Sequence, residues 1–132
     1  MKELIMKKIL IADDDKDIRT LVAEILGGEK YKIYFSKNGR ETIDSVNENI
    51  PDLLILDLMM PEIDGMEVCR RLKQNKSTKK IPIIMLTAKT GVTDKIEGFV
   101  TGADEYITKP FDPAKLETIV EKVLGRAEKD NR

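Results

Sequence analysis

The sequence contains no histidine and only one cysteine, Cys69. Without histidine the chain can form neither a Ser-His-Asp nor a Cys-His catalytic group, has no imidazole to bind a metal, and cannot itself carry phosphohistidine. A single cysteine excludes a disulfide bond within the chain and a zinc site built from cysteines. Because Cys69 lies three residues before Leu72 on the inward side of a predicted helix, we expect a buried structural thiol.

Long apolar runs and an excess of one charge are also lacking. No run approaches the roughly 20 residues of a membrane span, and the first residues lack the apolar core and cleavage site of a signal peptide. Lys and Arg number 23 against 24 Asp and Glu, for a net charge of -1, which gives no general attraction to nucleic acid or to anionic membranes. We therefore expect a cytoplasmic protein that binds neither directly.

The length of 132 residues is typical of one domain. We predict an N-terminal extension over residues 1–6, one domain over residues 7–128, and a frayed tail or linker stub over residues 129–132. Apolar strand-like runs alternate with helical periodicity along that domain, which favours a parallel sheet with helices on both faces. The predicted strands are Ile9–Ala12, Tyr31–Phe35, Leu53–Leu56, Ile81–Leu86 and Glu105–Thr108.

Five helices are predicted between and after these strands. Asp15 is expected to cap the first, whose apolar residues end at Leu26 before a Gly-Gly pair. The second begins at Asn38-Gly39 and the third at Asp64-Gly65. The fourth carries Val92, Ile96, Phe99 and Val100, and the fifth follows Asp112-Pro113, an N-cap with proline at the first helical position.

Polar residues stand where four of the predicted strands end. Asp13 and Asp14 follow the first strand, Asp57 the third, Thr87 the fourth and Lys109 the fifth. Ligands of open α/β sheets bind outside the carboxyl ends of the strands. The sequence therefore predicts one crevice that holds three carboxylates, a hydroxyl and an ammonium.

Such a group of carboxylates calls for a counterion. Two carboxylates about 5 Å apart repel by about 3 kcal/mol at an effective dielectric constant near 20, and without metal this repulsion should raise the pKa of at least one of them. Mg²⁺ binds one or two carboxylates together with water and phosphate oxygens. The alternative for Asp13 and Asp14 is N-capping, the role we assign to Asp15.

Asp57 has a second chemical role open to it. A carboxylate can attack phosphorus and form an aspartyl phosphate, a transfer that needs in-line placement and neutralisation of the oxygens' charge. Mg²⁺ and Lys109 would supply that neutralisation, and the Thr87 hydroxyl could bond a phosphoryl oxygen. Taken singly, a Thr at a strand end is usually structural and a Lys usually a solvated charge. Their joint occurrence at these strand ends favours the functional interpretation.

Several motifs resemble those of the receiver domain of two-component response regulators, of the chemotaxis-regulator type, over about residues 7–128. The matching motifs are Ile-Leu-Ile-Ala-Asp13-Asp14, Leu-Ile-Leu-Asp57-Leu-Met-Met-Pro61 with Asp64-Gly65, Met-Leu-Thr87-Ala88, Gly102-Ala103-Asp104 and Lys109-Pro110-Phe111. The resemblance implies a flavodoxin-like, doubly wound sheet of five parallel strands in the order 2-1-3-4-5 with five helices. It also implies a cis Lys109-Pro110 bond.

The resemblance further implies the roles of the site residues. Asp57 would be the phosphoacceptor, and Asp14, Asp57 and the Met59 carbonyl would bind Mg²⁺, or Mn²⁺ in its place, directly. Asp13 would act on the metal through water. The remaining roles are phosphoryl binding by Thr87 and Lys109, switching by Thr87 and Tyr106, and control of the phosphate lifetime by Met59 and Lys89.

A receiver would act as a phosphoacceptor signalling domain of a bacterial two-component system, with no enzymatic activity beyond its own phosphorylation and slow autodephosphorylation. A histidine kinase or histidine phosphotransfer protein would supply the phosphoryl group. Switching would repack the face formed by the fourth predicted helix, the fifth strand and the fifth helix. The output would be a downstream protein or an output domain, and the chain would be a monomer or a phosphorylation-dependent dimer.

Other functions fit the sequence less well. Haloacid-dehalogenase-type phosphatases also use a nucleophilic Asp, but their Thr or Val is replaced here by Asp17, their acidic pair follows rather than precedes the Thr and Lys, and no cap domain fits this length. An EF-hand loop could begin at Asp13, yet Ile18 stands where the sharp turn requires Gly. A receiver-like scaffold that is never phosphorylated conflicts with the intact acceptor motif.

Overall fold

The computed structural model describes residues 6–88 and 102–130. Its sheet has five parallel strands in the order β2-β1-β3-β4-β5, so the predicted fold class and strand order are confirmed. The strands are β1 (Lys7–Ala12), β2 (Tyr31–Ser36), β3 (Leu53–Asp57), β4 (Ile83–Thr87) and β5 (Glu105–Thr108).

Four helices lie within the described ranges. They are α1 (Lys16–Leu26), α2 (Gly39–Glu48), α3 (Gly65–Gln74) and the C-terminal helix (Pro113–Asp130). The predicted helix carrying Val92 to Val100 lies outside the described residues. None of the described helices is long and apolar enough to cross a membrane.

The helix starts follow from short polar side chains that accept backbone N–H groups, as their sequence positions predict. Asp15 accepts the N–H of Asp17, and Asn38 that of Glu41. Asp64 does the same for Glu67 at the start of α3, and Asp112 accepts from Ala114 ahead of the C-terminal helix. Each cap fixes the point at which the chain leaves the loop that follows a strand.

Two apolar layers enclose the sheet. One face packs against α1 and the C-terminal helix through side chains that include Val22 and Leu116, and the other packs against α2 and α3 through Val46 and Leu72. Cys69 is fully buried in the second layer, which agrees with a structural thiol. Because β1, β3 and β4 are covered on both faces, they consist of nearly continuous apolar residues.

Some details differ from the sequence expectation. The fourth strand begins at Ile83 rather than Ile81, because the Ile81 N–H bonds to the Thr78 carbonyl in a turn and Pro82 has no N–H to offer the ladder. Two large apolar side chains are partly open to solvent: Leu21 on α1 is 43% exposed, and Phe35 on the edge strand β2 is 48% exposed.

Candidate functional site

The strand register brings the predicted site residues to one edge of the sheet. Ala12 pairs with Leu56, so Asp13 and Asp57 each follow a paired position on adjacent strands. Asp57 itself pairs with Leu86, which places Thr87 one residue further along. Thr87 pairs with Thr108, the residue before Lys109. Neighbouring parallel strands therefore end together and present these side chains to one crevice.

Three carboxylates meet in this crevice. One oxygen from each of Asp13, Asp14 and Asp57 lies within 4.8 Å of the others. Asp13 is fully buried and Asp57 is 3% exposed, whereas Asp14 is open to solvent. The predicted convergence is thus present, with the exposed carboxylate at the mouth of the crevice.

Asp13 is held by contacts on all sides. Its N–H donates to the Ser36 carbonyl at 3.1 Å, and its carboxylate accepts the Asp15 N–H at 2.9 Å and the Lys109 ammonium at 2.8 Å. The Arg19 guanidinium donates to its backbone carbonyl at 2.7 Å. These bonds give a buried charge the partners that it needs.

Asp57 is less fully compensated. Its Oδ1 accepts the Met59 N–H at 3.2 Å and lies 3.4 Å from the Lys109 ammonium. Burial, with a further contribution from the charge of Asp13, raises the pKa of Asp57 to about 6, against the opposing effect of Lys109. A raised carboxylate pKa was expected from charge repulsion; the direction is as expected, but burial is the larger cause.

Lys109 links two strand ends through one ammonium, since it contacts both Asp13 and Asp57. Burial lowers the pKa of Lys109, but the bonds and charges of the two carboxylates outweigh that effect and raise it. The Lys109 N–H also donates to the Thr87 carbonyl at 2.6 Å. The Lys109-Pro110 peptide bond is cis, as the family resemblance implies.

The other predicted residues surround this group. Thr87 is fully buried at the end of β4, and Met59 is 55% exposed after β3. Tyr106 is half-buried and packs against the layer beneath α2 and α3. Lys89 lies outside the described residues.

The loop after β3 closes tightly over Asp57 because residue 65 is glycine. The Gly65 N–H donates to the Leu58 carbonyl at 2.9 Å. A Cβ at position 65 would stand 2.3 Å from the Asp57 carbonyl oxygen, closer than any side chain can approach. The motif Asp64-Gly65 therefore combines a helix cap with a close backbone approach.

Three residues that support the site are not identified by the sequence patterns. Arg19 holds the Asp13 carbonyl, and Ser36 accepts the Asp13 N–H while its buried hydroxyl contacts Thr42 at 2.7 Å. An Arg in the first turns of an amphipathic helix carries no signal that separates it from a solvated charge. For Ser36 and Thr42, the only sequence signal is that two hydroxyl residues stand six positions apart on either side of the start of α2.

The donor set suits a hard divalent cation. It offers carboxylate oxygens and no sulfur or imidazole ligand, and Mg²⁺ selects such oxygen ligands. Asp14 leaves the crevice open to water, which Mg²⁺ keeps in its coordination shell. Beside the carboxylates lie the buried Thr87 and the Lys109 ammonium, which are residue types that bind anionic groups.

Comparisons with known proteins agree with this geometry. Residues 9–121 match the family model described as the response regulator receiver domain. The chain is 42% identical over 122 residues to the alkaline phosphatase synthesis transcriptional regulatory protein PhoP of Bacillus subtilis, covering 92% of this chain and 50% of that protein. With the transcriptional regulatory protein ResD of the same organism it is 46% identical over 120 residues, covering 91% and 49%.

The solved structures show the same fold. The chemotaxis protein CheY4 of Vibrio cholerae superposes with a TM-score of 0.84 at 32% identity, and the match covers 90% of this chain and 99% of that one. The chain spans about half the length of the curated relatives it matches. By family model, by sequence identity and by fold, this chain belongs to the receiver domains of response regulators.

Proposed function

We propose that this receiver domain accepts a phosphoryl group on Asp57 in a Mg²⁺-dependent reaction and thereby switches the binding of its output. The observation that carries the proposal is the cluster of Asp13, Asp14 and Asp57 beside Lys109 at one sheet edge. A histidine kinase or histidine phosphotransfer protein would be the donor. The chain contains no histidine, so it cannot supply the phosphohistidine itself.

In the transfer, a carboxylate oxygen of Asp57 attacks phosphorus and forms the new P–O bond. The bond from phosphorus to the donor nitrogen breaks, and its electron pair stays on the imidazole that leaves. Asp14, Asp57 and the Met59 carbonyl would hold the metal directly, with Asp13 acting through water. When bound, Mg²⁺ supplies positive charge that offsets the carboxylates and the phosphoryl oxygens. Mn²⁺ would serve in the same place.

Lys109 and Thr87 would bind the oxygens of the attached phosphoryl group. The Lys109 ammonium already lies 3.4 Å from Asp57 Oδ1, so it could contact the oxygens of a phosphoryl group on Asp57 after only a small movement. Thr87 follows the residue that pairs with Asp57. Its hydroxyl would turn toward the phosphate, and Tyr106 on the next strand would move inward.

This movement would repack the face made of the fourth predicted helix, the fifth strand and the C-terminal helix. It is a population shift between two packings, biased by a local change of charge. The relatives are regulators about twice as long as the matched segment, so we propose that the readout is an attached output domain or a separate downstream protein. We propose that Met59, together with Lys89 outside the described residues, would set the phosphate lifetime by controlling the attack of water.

The test is phosphorylation by acetyl phosphate with Mg²⁺, followed by intact mass. We expect one added phosphoryl group on the wild type, none without divalent metal, and none on Asp57→Asn. Asp44→Asn is the matched control, because Asp44 is an exposed carboxylate on α2, and it should label normally. Labelling of Asp57→Asn to the wild-type level would overturn the assignment.

A second variant separates chemistry from switching. Thr87→Ala keeps the metal ligands and the nucleophile, so it should still gain one phosphoryl group. It should lose most of the phosphorylation-dependent change in the amide NMR shifts around Tyr106. Normal shift changes in Thr87→Ala would show that the hydroxyl has no part in the switch.

A further inference from the structure

We infer that Arg19 is a positioning residue for the metal ligand Asp14, an inference that rests on the function proposed above. Arg19 lies half-buried on α1, and its guanidinium donates to the backbone carbonyl of Asp13 at 2.7 Å. That carbonyl belongs to the peptide unit that joins Asp13 to Asp14. Because a peptide unit is planar, holding its oxygen fixes the direction in which the chain enters Asp14.

The three carboxylates differ in what holds them. The Asp13 carboxylate accepts from Asp15 and Lys109, and the Asp57 carboxylate accepts from Met59 and faces Lys109. Within residues 6–88 and 102–130, the Asp14 side chain has no hydrogen bond or ion pair. Its place within 4.8 Å of the other two is therefore set by the backbone.

That backbone is fixed at both ends of the turn. The Asp13 N–H is bound to Ser36 and the Asp15 N–H to the Asp13 carboxylate, and Arg19 holds the carbonyl between them. Because the donor is charged, this hydrogen bond is stronger than one from a neutral donor. Without it, the peptide unit between Asp13 and Asp14 can rotate and carry the Asp14 carboxylate away from the cluster.

The effect of removing Arg19 on metal affinity has opposite signs under the two roles open to this residue. If Arg19 were only a nearby positive charge, Arg19→Met would relieve repulsion and strengthen Mg²⁺ binding. If it positions Asp14, the same change should weaken Mg²⁺ binding by about tenfold, as loss of a group that orients a metal ligand does elsewhere. The sign of the change decides between the roles.

The experiment is a Mg²⁺ titration of the folded protein followed by amide NMR shifts at 25 °C. Lys16→Met is the matched control: Lys16 is an exposed cation at the start of the same helix, with no partner among the described residues. We expect weaker binding in Arg19→Met and equal or tighter binding in Lys16→Met. Arg19→Lys, which keeps a charged donor on a shorter reach, should fall between wild type and Arg19→Met.

A second measurement uses the metal-free protein. The Asp15 N–H is bound within the turn, so its hydrogen exchange should quicken in Arg19→Met, while amides of the central strands keep their wild-type rates. Uniformly faster exchange would indicate a merely structural role and would overturn the inference. So would unchanged or tighter Mg²⁺ binding in Arg19→Met while wild type binds normally. Failure of the wild type itself to bind Mg²⁺ would instead refute the proposed function.

Discussion

Asp13 and Asp14 are adjacent in the chain but differ in burial and in hydrogen bonding, so we expect their replacement to have different effects. Asp13 is buried and fully bonded, whereas Asp14 is exposed and without a side-chain partner in the described ranges. Asp14→Ala should therefore weaken Mg²⁺ binding by at least about tenfold, or 1.4 kcal/mol, and leave the free energy of unfolding nearly unchanged.

Asp13→Ala should show the reverse pattern. It removes the acceptor of the Asp15 N–H and a partner of Lys109, so it should lower the free energy of unfolding by about 1–3 kcal/mol. Its effect on Mg²⁺ should be smaller, since its proposed contact is through water. Urea unfolding and a Mg²⁺ titration measure both quantities, and equal metal affinities in the two variants would contradict the assigned roles.

Met59 is the residue on which the lifetime of the phosphorylated form should depend. Its backbone N–H bonds to Asp57 Oδ1, and its apolar side chain cannot orient water. Met59→Asn should therefore shorten the lifetime several-fold by adding a group that can hydrogen-bond the attacking water. The measurement is the decay of the phosphorylated mass after the donor is removed. Ile50→Asn, which changes another exposed apolar residue, should decay like wild type, and equal decay of all three proteins would show that Met59 does not control access.

At this scale the sequence predicts the residues that carry charge at strand ends, because those positions are fixed by strand pattern alone. It does not predict Arg19 or Ser36. Their contribution comes through backbone atoms of Asp13, and backbone partners depend on how α1 and β2 sit against β1. Repulsion between the carboxylates contributes to the raised Asp57 pKa as expected, but the larger contribution of burial depends on the packing of the whole crevice and was not predicted.

Among the elements, the loop from β3 to α3 is where backbone packing and chemistry meet. Gly65→Ala would put a Cβ 2.3 Å from the Asp57 carbonyl oxygen and 2.8 Å from the Leu58 Cα. Because these are backbone atoms, the loop must shift, and we expect a loss of about 1–3 kcal/mol in the free energy of unfolding together with slower phosphorylation.

Gly125→Ala is the control for that variant. Gly125 lies in the C-terminal helix, and a Cβ there would meet nothing within 4 Å. In a helix interior, alanine is more favourable than glycine by about 1 kcal/mol. Gly125→Ala should therefore raise the free energy of unfolding and leave phosphorylation unchanged. Loss of stability in Gly125→Ala, or none in Gly65→Ala, would count against this account of the loop.

Helices were predictable where the apolar periodicity begins directly after a capping residue. Asp15, Asn38 and Asp64 cap their helices as their positions predict, because a cap is a local bond. Strand ends were less predictable, since the start of β4 depends on a turn bond between Ile81 and Thr78. The strand order came from the family resemblance rather than from any local pattern.

For the whole molecule, the raised pKa of Asp57 predicts how stability depends on pH. Between about pH 4 and pH 6 Asp57 is protonated to a greater extent in the folded state than in the unfolded state, so its contribution to metal-free stability falls as pH rises through this window. Asp57→Asn removes the buried charge and should raise the free energy of unfolding at pH 7 by about 2–3 kcal/mol, at about 1.4 kcal/mol per pKa unit.

The advantage of the variant should shrink toward zero near pH 4 and also at saturating Mg²⁺, where metal binding stabilises the wild type by mass action. Urea unfolding at pH 4.5, 6 and 7.5, with and without Mg²⁺, measures both trends. A difference between the two proteins that does not vary with pH would show that Asp57 is not the titrating group.

The Lys109 ammonium lies between Asp13 and Asp57, where it would oppose metal binding and favour the proposed phosphoryl transfer. Three ionised carboxylates and one ammonium leave two net negative charges, which a single divalent ion cancels and a monovalent ion does not. Without Lys109 the crevice would attract Mg²⁺ more strongly while lacking a donor for the incoming phosphoryl oxygens. If the proposed function holds, a variant that binds Mg²⁺ more tightly than the wild type can therefore still be impaired in phosphoryl transfer.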